Sequence, residues 1–394
     1  MNWEKALNTA WQDILKKNYH PNTEISHFEK RIRVMVRQLD NQRYHFGKWK
    51  AILINKKDGG KRPILKPILL SDKIVLKAIA EYISMQLKLE FNRVSDYSFA
   101  YQKGKNVRDA LLTMKDRYSQ GKIIIKLDIK KFFNNIDKDF VCEILTEKLP
   151  DSKYLIELVK ESLNPQIDFT EIGSSSLTEF DRNGLPQGNP VSSVLSNLYL
   201  YDFDMKMKNE GHMMIRYADD MVFLVNTIDE AYNLTETIAE YLTSTRNLEL
   251  HPLSAEEGAK SSIFDNLKKR KLTFLGATFD GEKLLPTKEC IHALSNKVKS
   301  ICRKNTPHNQ KITSTRTAIA QWCGYYAFTD ISDEKLASIS PRLSNEMQRA
   351  GILAKVDLVK KMRTTRQRQR NKGIYSIFPK QKFGSDYHWL QIYP

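Results

Sequence analysis

The sequence predicts an α+β protein that combines antiparallel strands with many helices. Residues 213–225 contain two apolar strands separated only by Ala-Asp-Asp, which predicts a β-hairpin. Residues 123–128 form a short apolar run rich in β-branched side chains, which predicts a buried strand. Beyond residue 286 the chain has mainly helical patterns. These three observations indicate strands and helices that are segregated along the chain.

The N-terminal part predicts helices and a second hairpin. Apolar residues recur at helical spacing between residues 25 and 39. Residues 51–65 indicate two strands around a turn rich in glycine and charge, Lys-Asp-Gly-Gly-Lys-Arg-Pro. A long amphipathic helix is predicted over 71–91. The second hairpin therefore has a basic tip.

The later elements are predicted from the same patterns. We expect helices over 138–163, 191–205 and 228–246, a polar loop over 165–183, a strand over 272–279 followed by a turn at Asp280–Gly281, and helices over 288–328 and 333–360. The aromatic chain end, 387–394, is expected to pack back onto the body of the protein.

The chain is strongly basic. It has 63 Lys and Arg against 46 Asp and Glu, a formal net charge of +17 and a pI of about 9.4. This excess predicts a polyanionic partner, and nucleic acid is favoured because no basic amphipathic anchor helix for a membrane stands out. A basic protein without such a partner is the alternative. The four cysteines form no C-x-x-C pair, so neither a zinc site nor a disulfide framework is expected.

No segment predicts membrane insertion or secretion. No stretch approaches the roughly 20 apolar residues of a membrane span. The N-terminus carries Glu4 early and lacks the basic start and apolar core of a secretory signal. We therefore expect a cytoplasmic protein without a membrane partner.

Three carboxylates lie at predicted strand ends. Asp128 ends the apolar strand, and Asp219 and Asp220 lie at the tip of the first hairpin. If these strands are neighbours in one sheet, the acids converge and repel one another unless cations neutralise them. Oxygen ligands favour Mg²⁺ or Mn²⁺, and two such ions support in-line phosphoryl transfer. A solvated hairpin tip is the simpler interpretation of each acid taken alone.

Six segments match motifs of one enzyme family, in that family's order. They are Lys57-Asp-Gly-Gly-Lys-Arg-Pro63, Leu127-Asp-Ile-Lys-Lys-Phe-Phe133, Leu185-Pro-Gln-Gly-Asn-Pro190 with the residues to Asn197, Tyr217-Ala-Asp-Asp220, Lys260, and Phe274-Leu-Gly276. Together they span about residues 55–280 and resemble the reverse transcriptases. The resemblance implies an RNA-directed DNA polymerase with a right-hand fold: fingers, a palm with an antiparallel sheet, and a helical thumb.

The resemblance also implies a division of the chain. The N-terminal extension and fingers would occupy 1–118, the palm 119–284, and the thumb with a basic C-terminal segment 285–394. Nothing large is expected beyond this polymerase core and thumb.

The resemblance assigns the catalytic and metal-binding roles to Asp128, Asp219 and Asp220. The carbonyl of Ile129 is a further implied ligand. The expected cofactor is a pair of Mg²⁺ ions, with Mn²⁺ as a substitute.

Other motif residues are implied to bind the incoming nucleotide. Lys56 and Arg62 would hold the triphosphate. Gln187 and Gly188 would line the templating pair, where backbone approaches the substrate closely; an ordinary helix-entry turn is the alternative for Gly188. Lys260 would supply a proton to the pyrophosphate leaving group, or is equally well a solvated lysine.

Phe133 lies where the family has its sugar gate. An aromatic ring there collides with a ribose 2′-OH and so favours deoxynucleotides. Phe132 is adjacent, and from sequence alone either ring can point to the site. The primer grip is assigned by the resemblance to Phe274, Leu275 and Gly276.

The densest basic run covers residues 355–372. We expect a structured RNA, which also supplies the template, to bind at Lys360, Lys361, Arg363, Arg366, Arg368 and Arg370. A solvated helix face is the usual alternative for such a run.

The branch of the family is suggested by size and motifs. Group II intron proteins usually carry a maturase region and often a nuclease domain, for which little room exists. Residues 185–190 are retron-like, but the Val-Thr-Gly signature of retron thumbs is missing. The chain also resembles the defence-associated reverse transcriptases of the unknown-group lineage, type 2 in particular. These copy a neighbouring non-coding RNA into cDNA and restrict phage. This branch is our first hypothesis and a retron enzyme is the second.

Two other functions are less favoured. The intact aspartates argue against a non-catalytic RNA-binding protein, and Phe133 argues against an RNA-templated RNA polymerase. The expected partners are therefore the template RNA, dNTPs and a cDNA product, and the oligomeric state is left open.

Overall fold

The computed structural model describes residues 1–17, 22–55, 60–119, 122–180, 183–256, 259–265, 271–371 and 390–392. The chain divides into two compact units. Unit 1 consists of Met1–Ala110 and Ile123–Ile263, and unit 2 consists of Leu111–Lys122 and Phe264–Pro394.

Helices make up most of the regular structure. In chain order they are α1 (Trp3–Lys17), α2 (Asn22–Asp40), α3 (Leu70–Gln86), α4 (Lys88–Arg93), α5 (Val107–Arg117), α6 (Phe132–Asn135), α7 (Lys138–Lys148), α8 (Lys153–Leu163), α9 (Pro190–Tyr199), α10 (Tyr201–Asn209), α11 (Ile228–Arg246), α12 (Lys288–Arg303), α13 (His308–Tyr326), α14 (Asp333–Gln348) and α15 (Leu358–Asn371). A short 3₁₀ helix covers Ser174–Glu179. Of the helices in the described ranges, none is both long and apolar enough to cross a membrane.

The strands are short. In chain order they are β1 (Trp49–Asn55), β2 (Lys61–Pro67), β3 (Ile123–Asp128), β4 (Ile167–Asp168), β5 (Met213–Tyr217), β6 (Asp220–Val225), β7 (Ser262–Phe264), β8 (Leu272–Phe274), β9 (Ala277–Phe279), β10 (Leu284–Pro286), β11 (Ala354–Val356) and β12 (Leu390–Ile392). Antiparallel sheets together with many helices confirm the predicted α+β fold class.

The central sheet of unit 1 has the strand order β5-β6-β3-β7. Strand β6 pairs antiparallel with both β5 and β3. Every residue of β3 is buried, which explains its nearly continuous apolar sequence. Helix α11 packs against β3 and β6. The sheet is therefore held rigidly in the main hydrophobic core of unit 1.

The predicted N-terminal hairpin is confirmed. Strands β1 and β2 pair antiparallel from Trp49 opposite Pro67 to Asn55 opposite Lys61, and β4 adds a parallel neighbour to β1. The tip residues 56–59, which include the predicted nucleotide ligand Lys56, lie outside the described residues.

Unit 2 combines a small antiparallel sheet, in the order β10-β9-β8, with helices α12 to α15. Leu336, Leu343 and Met362 are fully buried in its separate core. Strand β12 pairs antiparallel with β11. The prediction that the chain end packs back is thus confirmed for its described part.

Several predicted elements are divided in the structure. The predicted helix 71–91 breaks at Leu87, and the predicted helix 138–163 breaks between Lys148 and Lys153, where Pro150 disfavours a helical residue before it. The strand predicted over 272–279 is the hairpin β8–β9. Its turn residues Leu275 and Gly276 both have positive φ, 48° and 78°. Such turns usually contain glycine, asparagine or aspartate, so the leucine at position 275 gave no indication of a turn in the sequence.

Candidate active site

The hairpin β5–β6 has one acid in its tight turn and a second at the start of β6. Tyr217 is paired with Asp220, so the turn itself consists only of Ala218 and Asp219. Ala218 has a φ of 59°, and Asp219 is not among the residues with positive φ. A left-handed conformation costs an L-residue about 1–2 kcal/mol. The surrounding structure must therefore hold Ala218 in place, and such strain is typical of functional sites.

The third acid lies on the neighbouring strand. In the antiparallel pair of β3 and β6, Asp128 is directly opposite Asp220. Residues opposite one another in such a pair have Cα atoms about 4.5–5.5 Å apart. The structure therefore brings together the three carboxylates that the sequence suggested, at one end of the central sheet.

The pKa values of these acids respond to their crowding. Burial, and then the charges of Asp219 and Asp128, raise the pKa of Asp220 to about 7. Burial, and then the charge of Asp128, raise the pKa of Asp219. The three acids therefore resist ionising together unless a cation is present.

Two lysines lie beside the acids. Lys260 Nζ lies 3.0 Å from Asp128 Oδ2. Partial burial opposes the charged form of Lys260, but the hydrogen bond and charge of Asp128 outweigh it and raise the lysine pKa. Lys126 is buried on the same strand as Asp128 and donates to the carbonyl of Ala259 at 3.0 Å. The sequence patterns did not indicate Lys126 as a site residue, because it lies within the predicted apolar strand.

The donor set fits a hard divalent cation that shares its coordination with a substrate. All three side chains offer carboxylate oxygens, and Mg²⁺ is usually held by one or two carboxylates plus substrate phosphates and water. Within the described residues, no group of three or more acidic, His or Cys side chains encloses a metal position by itself.

The structure distinguishes between the two adjacent phenylalanines. Phe132 is 2% exposed and belongs to the core, whereas Phe133 is only partly buried. The Phe133 ring meets the edge of Tyr101 with ring centroids 6.4 Å apart. Burial, and then the charge of Asp219, raise the pKa of Tyr101 to about 12, which indicates that Tyr101 lies near the acids. Sequence analysis missed Tyr101, because its contact with Phe133 joins two residues that are distant in the chain. Its positive φ of 56° also leaves no signal in the sequence.

The loop before α9 fits tightly between other backbone segments. A Cβ on Gly188, where φ is 103°, would lie 2.5 Å from the carbonyl oxygen of Leu65. Close approach to β2 therefore already requires glycine at this position, and the implied approach of the Gly188 backbone to a substrate stays a prediction. A Cβ on Gly184 would lie 2.1 Å from the Phe133 carbonyl oxygen, and no sequence signal marked this glycine. Gln187 donates to Asn134 Oδ1 at 3.3 Å.

Other predicted residues have different surroundings. Arg62 is exposed on β2, and its charge only partly offsets the rise in the pKa of Asp219 that burial and Asp128 cause. Ile129 is buried next to Asp128 and forms an isolated bridge with Leu250. The segment Phe274–Gly276 forms the β8–β9 turn in unit 2.

The predicted RNA-binding residues on α15 are not equivalent. Lys361 is 8% exposed. Arg363 pairs with Asp333, and Arg366 donates to the carbonyls of residues 327, 329 and 331 after α13. Burial of Lys361, and the bonds of Arg363 and Arg366 to other residues of unit 2, give these three side chains a role in the folded structure. Of the predicted set, Lys360, which is partly buried, and Arg368, which is exposed, become the leading candidates for contact with RNA.

Comparison with known proteins places this site in context. The sequence model of the family described as "Reverse transcriptase (RNA-dependent DNA polymerase)" matches residues 54–279, more than half of the chain. The group II intron-encoded protein LtrA of Lactococcus lactis subsp. cremoris is 24% identical over 265 residues, which cover 65% of this chain and 40% of that protein. The uncharacterized 91 kDa protein in the cob intron of Schizosaccharomyces pombe is 28% identical over 181 residues, 44% of this chain and 20% of that protein.

The chain thus spans less than half the length of these two curated relatives. Among solved structures, the match with apo telomerase from Candida tropicalis covers 84% of this chain and 67% of the telomerase chain, with 12% sequence identity and a TM-score of 0.49.

Proposed function

Because this chain belongs to the reverse transcriptase family, we propose that it is an RNA-directed DNA polymerase whose catalytic residues are Asp128, Asp219 and Asp220. The observation that carries the proposal is the pairing of Asp128 with Asp220 across β3 and β6. This register places the first acid of β6 beside the acid that ends the buried strand β3. Reverse transcriptases use divalent metal ions, and the oxygen donors here suit Mg²⁺, or Mn²⁺ in its place.

The three aspartates, with the Ile129 carbonyl, would hold two such ions. When bound, these ions stabilise the attacking and leaving oxygens of phosphoryl transfer. Lys260 would deliver a proton to the departing pyrophosphate, since its exposed side chain lies at Asp128 and can turn toward a bound triphosphate. Lys56 and Arg62 would hold the triphosphate at the basic hairpin tip.

Nucleotide choice would depend on the aromatic residues beside these acids. The partly buried Phe133, supported by the edge of Tyr101, would exclude a ribose 2′-OH and so select dNTPs. Gln187 and Gly188 would face the templating base pair from a loop that is fixed against β2. The primer strand would be held by Phe274, Leu275 and Gly276.

We assign the fingers to 1–118, the palm to 119–284 and the thumb to 285–394. A structured non-coding RNA would bind along α15 and serve as the template for the cDNA. The support for an RNA partner is the basic excess of the chain and the position of Arg368 on an exposed helix face.

For the biological role, our first proposal is defence against phage in the bacterial cytoplasm, by a defence-associated reverse transcriptase or a retron enzyme. It is supported by the motif pattern. A second proposal, a group II intron-type enzyme, is favoured by the 24% identity with LtrA over 265 residues. Sequencing the nucleic acid that co-purifies with the protein separates them: a neighbouring non-coding RNA and its cDNA support defence, and intron RNA supports the second.

The polymerase activity is tested by primer extension on an RNA template with dNTPs and Mg²⁺. Asp128→Asn or Asp219→Asn should each lower the rate by about 10³-fold or more, since the charge that stabilises the reacting phosphate is lost. Glu236→Gln changes an exposed acid of α11 and is the matched control, expected to keep the wild-type rate. If both aspartate variants stay within tenfold of wild type, the assignment is wrong.

A further inference from the structure

A buried guanidinium lies beneath the hairpin turn that carries Asp219. Arg216 is on β5, three residues before this acid, and is 0% exposed. Its Nε donates to Asp204 Oδ1 at 2.7 Å, and its Nη2 donates to Asp204 Oδ2. Such a buried pair is retained at a cost in desolvation, so its geometry and its other hydrogen bonds decide what it contributes.

The remaining donors of Arg216 all have acceptors. Nη1 donates to the carbonyl of Ala218 at 3.0 Å and to Asn197 Oδ1 at 3.3 Å, while Nη2 also donates to Ser98 Oγ at 2.9 Å. All five N–H groups of the guanidinium are therefore used. The planar group is fixed from several sides and cannot turn to another acceptor without losing bonds.

The bond to Ala218 acts on the peptide that leads into Asp219. Because a peptide unit is planar, fixing the Ala218 carbonyl oxygen also fixes the direction of the Asp219 N–H and Cα. Ala218 needs this support, since its φ of 59° is unfavourable for an L-residue. The guanidinium thus holds the strained turn in the conformation that presents the acid.

The same residue also fixes the segment that leads to Tyr101. The Arg216 N–H donates to the Tyr97 carbonyl at 2.7 Å, and Ser98 forms a parallel bridge with Arg216. Three residues later, the Tyr101 ring meets Phe133. Arg216 therefore holds the turn that carries Asp219 through its side chain, and the segment that leads to Tyr101 through its backbone.

We propose that Arg216, held by Asp204, is a positioning residue for nucleotide addition that sets the direction of Asp219 through the Ala218 carbonyl. The proposal rests on the proposed polymerase function. It assigns to Arg216 an effect on metal affinity and on the rate of the chemical step, beyond its contribution to folding.

The test compares Arg216→Lys with a matched control, Arg246→Lys. Lysine keeps a positive charge beside Asp204 but lacks the planar fork that reaches the Ala218 carbonyl. Arg246 is also buried and pairs with an acid of α10, Asp202, at 2.9 Å, and its other bonds go to the carbonyls of Tyr199 and Thr245. The control therefore perturbs a comparable arginine whose described bonds lie away from the turn.

Two readouts separate positioning from folding. The affinity for Mn²⁺ is measured by electron paramagnetic resonance without nucleic acid, and the single-turnover rate and KM for dNTP are measured by primer extension. Arg216→Lys should weaken Mn²⁺ binding about tenfold and lower the maximal rate about 100-fold, with KM within threefold, because small misplacements of catalytic groups are costly. Arg246→Lys should leave both within threefold of wild type, whatever it does to thermal stability.

Each outcome is decisive. If Arg216→Lys behaves like Arg246→Lys, the positioning role is wrong. If it does not fold, the double variant Arg216→Met with Asp204→Leu, which removes both buried charges, replaces it. A folded double variant with wild-type Mn²⁺ affinity overturns the proposal, as does failure of both variants to fold, since the pair is then a folding element only. A wild-type protein that binds Mn²⁺ but does not extend primers would instead contradict the proposed function.

Discussion

The ammonium group of Lys260 lies 3.0 Å from Oδ2 of Asp128. The lysine side chain is 62% exposed and the aspartate side chain only 6%, so solvent reaches one partner and hardly the other. The lysine charge thus occupies the surroundings in which a metal ion would meet Asp128. Because the lysine side chain is largely exposed, its ammonium group can move into solvent if a nucleotide with its cation binds at Asp128.

This relationship leads to a kinetic prediction for Lys260. Replacing Lys260 with Gln should lower the maximal rate of nucleotide addition by about 100-fold, because the pyrophosphate loses its proton donor, and should leave KM for dNTP within a few-fold. The measurement is single-turnover primer extension across pH. Lys130→Gln is the matched control, since Lys130 also lies 3.0 Å from an acid, Glu249. A rate within threefold of wild type would identify Lys260 as a solvated lysine.

The raised pKa of Asp220 predicts a pH dependence of stability in the metal-free protein. Its pKa is about 7 in the folded protein against 3.8 ordinarily, so between these values the folded state holds a proton that the unfolded state lacks. The free energy of unfolding therefore falls as pH rises through this interval, by at most about 1.4 kcal/mol per pH unit for this group. Asp220→Asn should remove that part of the slope.

Chemical denaturation in the presence of a chelator, from pH 4 to 8, measures this effect. Asp220→Asn should gain stability relative to wild type as pH rises, whereas Glu236→Gln should run parallel to wild type. Parallel curves for wild type and Asp220→Asn would contradict the shifted pKa.

Local patterns in the sequence indicated where the three acids lie, and the resemblance to reverse transcriptases supplied their roles. A continuous apolar run predicted the strand that ends in Asp128, and three residues, Ala218 to Asp220, were expected between the strands of the hairpin. The structure pairs Asp220 with Tyr217, so the turn has only two residues. The Arg216–Asp204 pair had no such signal, because it depends on how α10 packs against β5. Likewise, the charge of Arg366 indicated a polyanion partner, while the structure uses this side chain to bind backbone carbonyls.

The partial burial of Phe133 predicts its role as the sugar gate. Phe133→Ala should raise the incorporation of NTPs relative to dNTPs by roughly 10- to 100-fold, because the ring that meets the 2′-OH is gone. Phe140→Ala, which truncates another partly buried ring of unit 1, is the control and should leave the ratio unchanged. Phe132→Ala should instead cost about 3–5 kcal/mol of stability, since this ring is in the core. A wild-type preference for NTPs would contradict the DNA-polymerase assignment.

Alanine substitutions at two glycines with positive φ distinguish the cost of backbone strain from the cost of a steric clash. Gly188→Ala should destabilise the protein by about 2–4 kcal/mol, because its Cβ meets the Leu65 carbonyl oxygen at 2.5 Å in addition to the unfavourable φ. Gly211→Ala also has a positive φ, of 76°, but meets nothing within 4 Å, so it should cost only about 1–2 kcal/mol. Chemical denaturation compares the two variants, and equal losses would show that the loop can move away from β2.

The basic helix α15 offers a test of RNA binding that spares the fold. Changing Lys360 and Arg368 of α15, and Lys355 of the adjoining strand β11, to Gln removes three charges without touching the bonds of Arg366 to backbone carbonyls. If all three contact phosphates, the slope of log affinity against log salt should become shallower by about two to three units. The control changes three exposed cations elsewhere in unit 2, Lys304, Lys335 and Arg342, to Gln.

Because both triple variants lose the same net charge, a general electrostatic effect would change their slopes equally, and only a local interface distinguishes them. The measurement is equilibrium binding of the co-purified RNA from low to high salt. Extension of a generic primed template should suffer less than extension on this RNA, since the catalytic aspartates are unchanged. Equal slopes in the two variants would show that the exposed face of α15 is solvated and does not bind RNA.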